Sequence, residues 1–281
     1  MKPSLRTTLL RILSTLALCA VTFAVLYPVL WVVRIALMPG ATLAGGGDFQ
    51  PSLENFEAVL SHSNAAGQWL FGRQLLNSLV ISTATTVVGV VLSVSAAYAL
   101  SRMRFPGREG FLRTLLVTQM FPGVAVAVPL YYLLGQLGLL NTWTGLTLVY
   151  ATSSVPFCAH LLKGYFDSIP KEIEEAAALD GASPGLIFWK IVLPLARPGI
   201  AVTALFSFLT AWNEFILAAT FLGEESSYTL PVALQQYVGD YSTEWGSFAA
   251  GAILVSLPVA ALFYAVQRHL VGGLTAGGVK G

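Results

Sequence analysis

Charge is scarce in this chain: Asp, Glu, Lys and Arg together make up 10% of its 281 residues, against about a quarter in ordinary soluble domains. Hydrophobic residues make up 56% and the mean hydropathy is +0.73, so the chain reads as a polytopic membrane protein. No long basic run occurs and the formal net charge is +1, which argues against nucleic acid as a partner. No lysine follows a glycine, so the G-x-x-x-x-G-K-[ST] loop that cradles ATP phosphates is missing. Only two cysteines are present, Cys19 and Cys158, both inside apolar runs; they read as packing residues, not as a disulfide or cluster. His62, His160 and His269 fall in different segments, without the spacing of a metal site. No nucleophile stands beside a base. The chain therefore reads as a non-enzymatic subunit with no catalytic, cofactor-binding or metal residues of its own, and its energy must come from a partner or a gradient.

What is abundant is uncharged sequence. Runs long enough to cross a bilayer, which takes roughly 20 apolar residues, mark six expected spans at about 12–34, 77–101, 112–134, 143–162, 199–222 and 246–267. The expected fold is thus all-α, a single transmembrane domain over 1–281. The basic N-terminus precedes a run longer than a signal-peptide core, so the first run is kept as a permanent span. Between Thr114 and Leu162 no charge occurs, room for two spans and a tight turn near Gly135 to Thr142. In the second span Ser82, Ala84, Gly89, Ser93, Ala96 and Ala97 suit close helix packing in lipid. Pro28, Pro122, Pro129, Pro156 and Pro258 lie within spans and predict kinks.

Basic residues collect on one side of these spans: Lys2, Arg6 and Arg11, then Arg102, Arg104, Arg108 and Arg113, then Lys163, Lys171, Lys190 and Arg197, and finally Arg268 and Lys280. The last loop on the other side has only acids, Glu224, Glu225, Asp240 and Glu244. The positive-inside bias makes the basic side cytoplasmic, with both termini and the loop 163–198 on it.

That loop is an island of polar structure between spans. From Asp167 to Pro198 it reads as two short helices. Ser168 and Pro170 offer a cap and an early helical proline, Glu172, Glu174 and Glu175 suit the positive end of the first helix, and Gly181 permits the left-handed turn that ends it. Ser183 and Pro184 repeat the start, and Pro194 and Pro198 are expected to stop the second helix. Neither helix is long enough to cross a bilayer, so the pair is available at a surface.

Glu175-Ala176-Ala177, Gly181 and Ile191-x-Leu193-Pro194 together resemble the cytoplasmic coupling loop of bacterial ABC importer permeases. The stretches Ala97 to Gly107, Gln119 to Pro122, Lys163 to Phe166, Gln235 to Tyr237 and Gly273 to Gly281 resemble the MalG-type permeases of maltose/maltodextrin ABC importers, a binding-protein-dependent family of MetI-like architecture. The resemblance implies maltose-type sugar import across the bacterial cytoplasmic membrane. It implies that Glu174, Glu175, Ala176, Ala177, Asp180, Gly181, Ile191, Leu193 and Pro194 engage a separate ATPase. It implies that the tail 268–281, with Thr275, Gly277, Gly278 and Lys280, reaches the ATPase dimer. The partners implied are a MalF-type permease, a MalK-type ATPase homodimer holding ATP and Mg, an extracytoplasmic sugar-binding protein and the lipid bilayer. The sugar within the membrane would be held chiefly by the partner permease.

Two features stand beside that reading. Glu214, with Asn213, falls inside the fifth apolar run, where an ionisable group is costly and usually faces a cavity or the bundle interior. It either lines the translocation path or a subunit interface, or lies near the headgroups. Gly239, Asp240 and Tyr241 sit well inside an aromatic-rich loop and would reach a docked binding protein, although aromatics near span ends also form interfacial belts. A gradient-driven carrier, with Glu214 as its one intramembrane candidate for an ion site, and an importer of the same build for another solute are the rival readings.

Overall fold

The computed structural model describes residues 5–40, 50–239 and 243–277, with side chains described from 9 to 267 within these. Helices dominate, and among the described residues no strand forms beyond one isolated antiparallel bridge, Val238 with Thr243. In order the helices are α1 (Leu5–Ala36), α2 (Glu54–Leu60), α3 (Leu70–Arg102), α4 (Arg108–Thr118), α5 (Gly123–Gln136), α6 (Trp143–Ser168), α7 (Lys171–Leu179) and α8 (Pro184–Ile187). After a π-helical turn at Phe188–Val192 come α9 (Leu193–Leu195), α10 (Arg197–Trp212), α11 (Ile216–Phe221), α12 (Leu230–Gln235) and α13 (Trp245–Gly277). Among the described residues, four helices are long and apolar enough to cross a membrane by themselves: α1 from Leu9, α3, α6 and α13 to Gln267. Six spans result if two bent pairs each count as one.

One bent pair corrects an expectation. The third run was expected as one span at 112–134, but α4 and α5 meet at 95°. Pro122 adopts φ −64° and ψ 132° just before α5, and its ring disfavours helix in the residue before it. The chain therefore turns where only a kink was expected. Pro28, Pro129, Pro156 and Pro258, by contrast, sit inside continuous helices. The expected turn between the third and fourth runs is present: Gly138 and Asn141 take φ of 66° and 58°, and Thr142 caps α6 by accepting from the Gly145 amide at 3.0 Å.

The chain divides into two compact units. In the smaller, residues 1–67 with 234–256, the Asn55 side chain donates to the carbonyls of Ala36 at 2.9 Å and Met38 at 3.1 Å. That bond pair closes the end of α1 onto α2. Gly246, at the start of α13, lies so near Asn55 that a Cβ would come within 2.5 Å of its amide.

The larger unit, residues 68–233 with 257–281, is built on α3, α6 and α10 packed against one another. One face of α3 carries Ser78, Ser82, Thr85, Gly89, Ser93 and Ala97, all buried. This spacing of three and four residues is one helical stripe. Lipid offers no hydrophobic gain for helix association, so small residues that let backbones approach supply it instead. A Cβ on Gly89 would sit 3.0 Å from Ser154 Oγ of α6 and 3.2 Å from Ser207 Oγ of α10, so the three helices converge there. A similar approach joins Gly199 to the Tyr165 ring, which a Cβ would meet at 2.5 Å.

Polar ties close both ends of this bundle. Asn77 donates to the carbonyls of Ser226 at 2.9 Å and Tyr228 at 3.0 Å and accepts from Trp143 Nε1 at 2.9 Å. Gln74 donates to Glu225 O at 3.2 Å, and Ser78 Oγ accepts from the Leu230 amide at 2.7 Å. At the other end an apolar cluster joins Ala97, Leu162, Phe166, Ile187, Val192 and Ala196.

Replacing Gly199 with alanine forces a methyl into the Tyr165 ring, and overpacking of this kind costs about 1–3 kcal/mol. The detergent-purified Gly199→Ala chain is expected to melt several degrees below wild type in a thermal-shift assay, and Gly164→Ala, where a Cβ meets nothing within 4 Å, is expected to match it.

Candidate functional site

The polar island forms a hairpin, and its turns follow from its sequence. Helix α7 starts after Pro170, not at a Ser168 cap as expected: Ser168 ends α6 and its hydroxyl donates back to Tyr165 O at 2.6 Å. Pro170 forces Ile169 out of helical space, to φ −79° and ψ 121°, so the break falls one residue later. Glu172 and Glu174 occupy the first turn of α7, where the helix dipole favours them.

Gly181 ends α7 as expected, at φ +87°. Its amide donates to Ala178 O and the Ala182 amide donates to Ala177 O, both at 3.0 Å. This is the paired Schellman closure, in which an apolar contact accompanies the turn, and Ala177 and Ala182 both pack on the apolar cluster below. Ser183 then caps α8, accepting from the Leu186 amide at 3.4 Å.

Pro194 does not stop the second arm, contrary to expectation. The helical path runs from Pro184 to Leu195 and then bends 71° into α10. The π turn widens the ladder so that the Leu193 amide donates to Phe188 O, five residues back. This looser turn accommodates Pro194, which has no amide to offer.

Eight of the nine residues of the coupling motif take two different positions. Glu175, Ala176, Asp180 and Gly181 are exposed at the tip, Ala177 is half-buried beneath them, and beside them Leu179 is 89% exposed. Ile191, Leu193 and Pro194 are half-buried in the second arm, and Leu193 packs on the apolar cluster. The Ile-x-Leu-Pro ending thus braces the hairpin while the Glu-Ala-Ala part presents a surface.

Glu174 turns inward. Its carboxylate meets Arg102 Nε at 2.5 Å, with both side chains largely buried, and accepts a longer bond from Tyr98 OH at 3.4 Å. Arg102 also donates to Ile169 O and to Ser101 Oγ, each at 3.0 Å. Ser101 Oγ in turn donates to Asp167 Oδ1 at 2.6 Å, and Lys163 Nζ pairs with Asp167 Oδ2 at 2.5 Å. A single network therefore fastens α7 to the ends of α3 and α6. In the sequence Arg102 reads as one of the basic residues of the cytoplasmic side, and Ser101 falls within the family-like stretch with no role of its own. The signal available was an arginine at the end of the small-residue stripe of α3.

Glu214 also has a defined setting. After α10 ends at Trp212, its carboxylate accepts from the amides of Leu217 at 2.9 Å and Ala218 at 3.0 Å and from Tyr150 OH at 2.7 Å. It caps α11 and ties that helix to α6, which satisfies the group without water. Asn213 is exposed and donates to Leu209 O at 2.9 Å. The expected interruption of the fifth apolar run is this break.

Gly239 is exposed at the end of a described segment; Asp240 and Tyr241 lie outside the described residues. Helix α13 extends to Gly277, so Thr275 and Gly277 have helical backbone, while Gly278 and Lys280 lie outside the described residues.

Residues 89–275 match the family described as binding-protein-dependent transport system inner membrane component. Among curated proteins, the chain is 38% identical to the trehalose transport system permease protein SugB of Mycobacterium tuberculosis, over 91% of this chain and 93% of that one. It is 39% identical to the maltose/maltodextrin transport system permease protein MalG of Vibrio vulnificus, over 95% and 94%. To the galactooligosaccharides permease protein GanQ of Bacillus subtilis it is 37% identical, over 95% of each. Among solved structures, a bacterial ABC transporter that imports the acidic polysaccharide alginate superposes with a TM-score of 0.77 at 25% identity, covering 95% of this chain and 99% of that one. The MetNI methionine transporter shares the fold at a TM-score of 0.61 and 19% identity, over 75% of this chain and 99% of that one.

Two outcomes follow from the geometry. Breaking the inward ion pair strands a buried charge, which costs about 3 kcal/mol, whereas replacing both partners with apolar groups is far milder. Arg102→Met and Glu174→Leu are each expected to destabilise the chain in thermal melts, and the double variant is expected to recover most of the loss. Glu214→Ala removes a cap and leaves three donors unmet, a cost of about 2 kcal/mol; Glu214→Gln, which keeps an acceptor oxygen, is expected to lose less by the same assay.

Proposed function

The chain belongs to the family of binding-protein-dependent transport system inner membrane components, and from that premise we propose that it imports a maltose-type or related neutral oligosaccharide. It is the membrane-spanning permease subunit of an ABC importer, a multi-pass and non-enzymatic component that works with a separate ATPase and an extracytoplasmic binding protein. The sugar class is supported by relatives named for maltodextrin, trehalose and galactooligosaccharide transport, each covering more than nine-tenths of the chain.

In this reading a MalF-type permease completes the membrane pore, and a MalK-type ATPase homodimer holds ATP and Mg. The two termini and the hairpin lie on the cytoplasmic side, as the basic-residue bias supports. The exposed tip of α7, from Glu175 to Gly181, seats in the ATPase. Closure of the ATPase on ATP carries the hairpin as a rigid body, and the spans pass from inward-facing to outward-facing. The tail around Thr275, Gly277, Gly278 and Lys280 extends toward the ATPase dimer. Glu214 and Asn213 hold the broken fifth span at the path or subunit interface, and Gly239, Asp240 and Tyr241 meet the binding protein.

One observation carries the coupling assignment: a helix tip with a largely exposed Leu179 stands on a buried ion pair that fixes it to the spans. An exposed leucine beside alanines and a glycine is a surface built for close approach by another protein. Leu179→Asp is expected to lower co-purification of the ATPase with the permease by at least about tenfold, since a central interface anchor of this kind contributes 2 kcal/mol or more. Retention of the ATPase at wild-type stoichiometry would overturn the docking assignment. The cargo is tested separately, by titrating sugars into the purified cognate binding protein; saturable binding of a non-sugar solute alone would overturn the substrate class.

A further inference from the structure

Where the second arm of the hairpin bends 71° into α10, a cleft of about 460 Å³ lies between the arm, the start of α10 and α3. That volume falls within the ~300–1,000 Å³ typical of ligand sites. The arm contributes an aromatic wall: Phe188 lines the cleft and is held between the Tyr98 ring at 4.6 Å and the Trp189 ring at 5.3 Å. From α3 come Val90, Val91, Val94 and Ser95, and from α10 come Arg197 and Ile200.

Polar and apolar residues are sorted by depth. Helix α3 ends at Arg102 on the basic side of the spans, so Ser95 lies nearer that side than Val90 and Val91, about one turn away. Helix α10 begins at Arg197 on the same side, and Ile200 lies about a turn deeper. The cleft therefore has a cationic mouth at the level of the hairpin and an apolar body that runs toward the membrane interior.

Arg197 is the one charged side chain that lines the cleft. It is exposed, and among the described residues it takes part in no ion pair, whereas Arg102 is matched by Glu174. Trp189, 66% exposed, stands in the same wall, and tryptophan is the residue that favours the headgroup level of a bilayer. These features sort the candidate occupants. A free anion would leave the apolar body unfilled. A zwitterionic lipid brings no net charge to Arg197, and a helix of another subunit would bury that charge unless it carried an acid at this one level. An anionic phospholipid brings a phosphate, which suits a guanidinium, and an acyl chain joined to it in the same order as the cleft.

We propose that this cleft binds one anionic phospholipid of the cytoplasmic leaflet, its phosphate on the Arg197 guanidinium and one acyl chain along Val90, Val94 and Ile200. The choice of leaflet rests on the orientation given above; the lipid goes beyond it. Leu193 and Pro194 also line the cleft, so the bound lipid braces the Ile-x-Leu-Pro ending of the hairpin.

The test uses the assembled importer in phosphatidylcholine nanodiscs doped with a phosphatidylglycerol that carries a diazirine on its acyl chain. Photo-cross-links are expected in the segments 90–95 and 188–193. Excess unlabelled phosphatidylglycerol is expected to lower their yield severalfold, and the same excess of phosphatidylcholine or of inorganic phosphate is expected to leave it unchanged. Arg197→Gln is expected to lower the yield about fivefold, the effect of one basic residue at an anionic membrane surface. Arg197→Lys is expected to keep most of it, and Lys171→Gln, an equal loss of charge at the exposed start of α7, all of it. Cross-links missing from both segments, as when a helix of another subunit fills the cleft, overturn the site and leave the permease reading standing. So does a yield that Arg197→Gln retains in full, or one that phosphatidylcholine lowers equally; competition by inorganic phosphate marks a free-anion site and overturns it as well. Orientation is read separately: in a Cys19→Ser, Cys158→Ala background, a membrane-impermeant maleimide is expected to label Lys171→Cys only after the cells are permeabilised. Labelling of intact cells overturns the orientation, and the choice of leaflet with it.

Discussion

Arg102 and Glu174 form an ion pair at the point where the packed helices give way to the hairpin, and the rest of the structure depends on it. A charge pair this far from solvent is stable only when its remaining donors and acceptors are met. Here Ile169 O, Ser101 Oγ and, more distantly, Tyr98 OH meet them. The network ties α7 to the ends of α3 and α6, so a force on the helix tip reaches the spans through charge-assisted bonds and not through a flexible loop. The apolar cluster of Phe166, Val192 and Ala196 below it gives the same joint a packed bed.

The same rule of internal satisfaction organises the membrane part. Unmet polar groups are costly in lipid, and Asn77, Trp143, Gln74 and Ser78 close the opposite end of the bundle by bonding the backbone at 225–230. Glu214, the one carboxylate inside an apolar run, spends its oxygens on two amides and a tyrosine hydroxyl. Its first role is thus to restart a broken helix.

Much of this was legible in the sequence. Uncharged runs located the apolar segments, Gly181 and Ser183-Pro184 located the hairpin turns, and Asn213-Glu214 located the break in the fifth run, because each signal is local. What was not legible depends on neighbours distant in sequence. Glu174 and Glu175 are adjacent and chemically alike, yet one faces Arg102 and the other solvent; only the position of α3 decides which. Ser168 yielded its cap to the stronger restraint of Pro170. Pro194 passed through a helical arm because a π turn removed the need for its amide, and Pro122 made a 95° corner where other prolines were absorbed.

The central claim is that the hairpin moves with the spans as one rigid piece. Pulsed electron-electron spacing between spin labels at Glu172→Cys on α7 and Val91→Cys on α3, both exposed positions, tests it directly in the assembled importer. The account predicts one narrow distance distribution that is the same without nucleotide and with ATP bound. A distribution that broadens or shifts on ATP binding, while the ATPase stays attached, would contradict it.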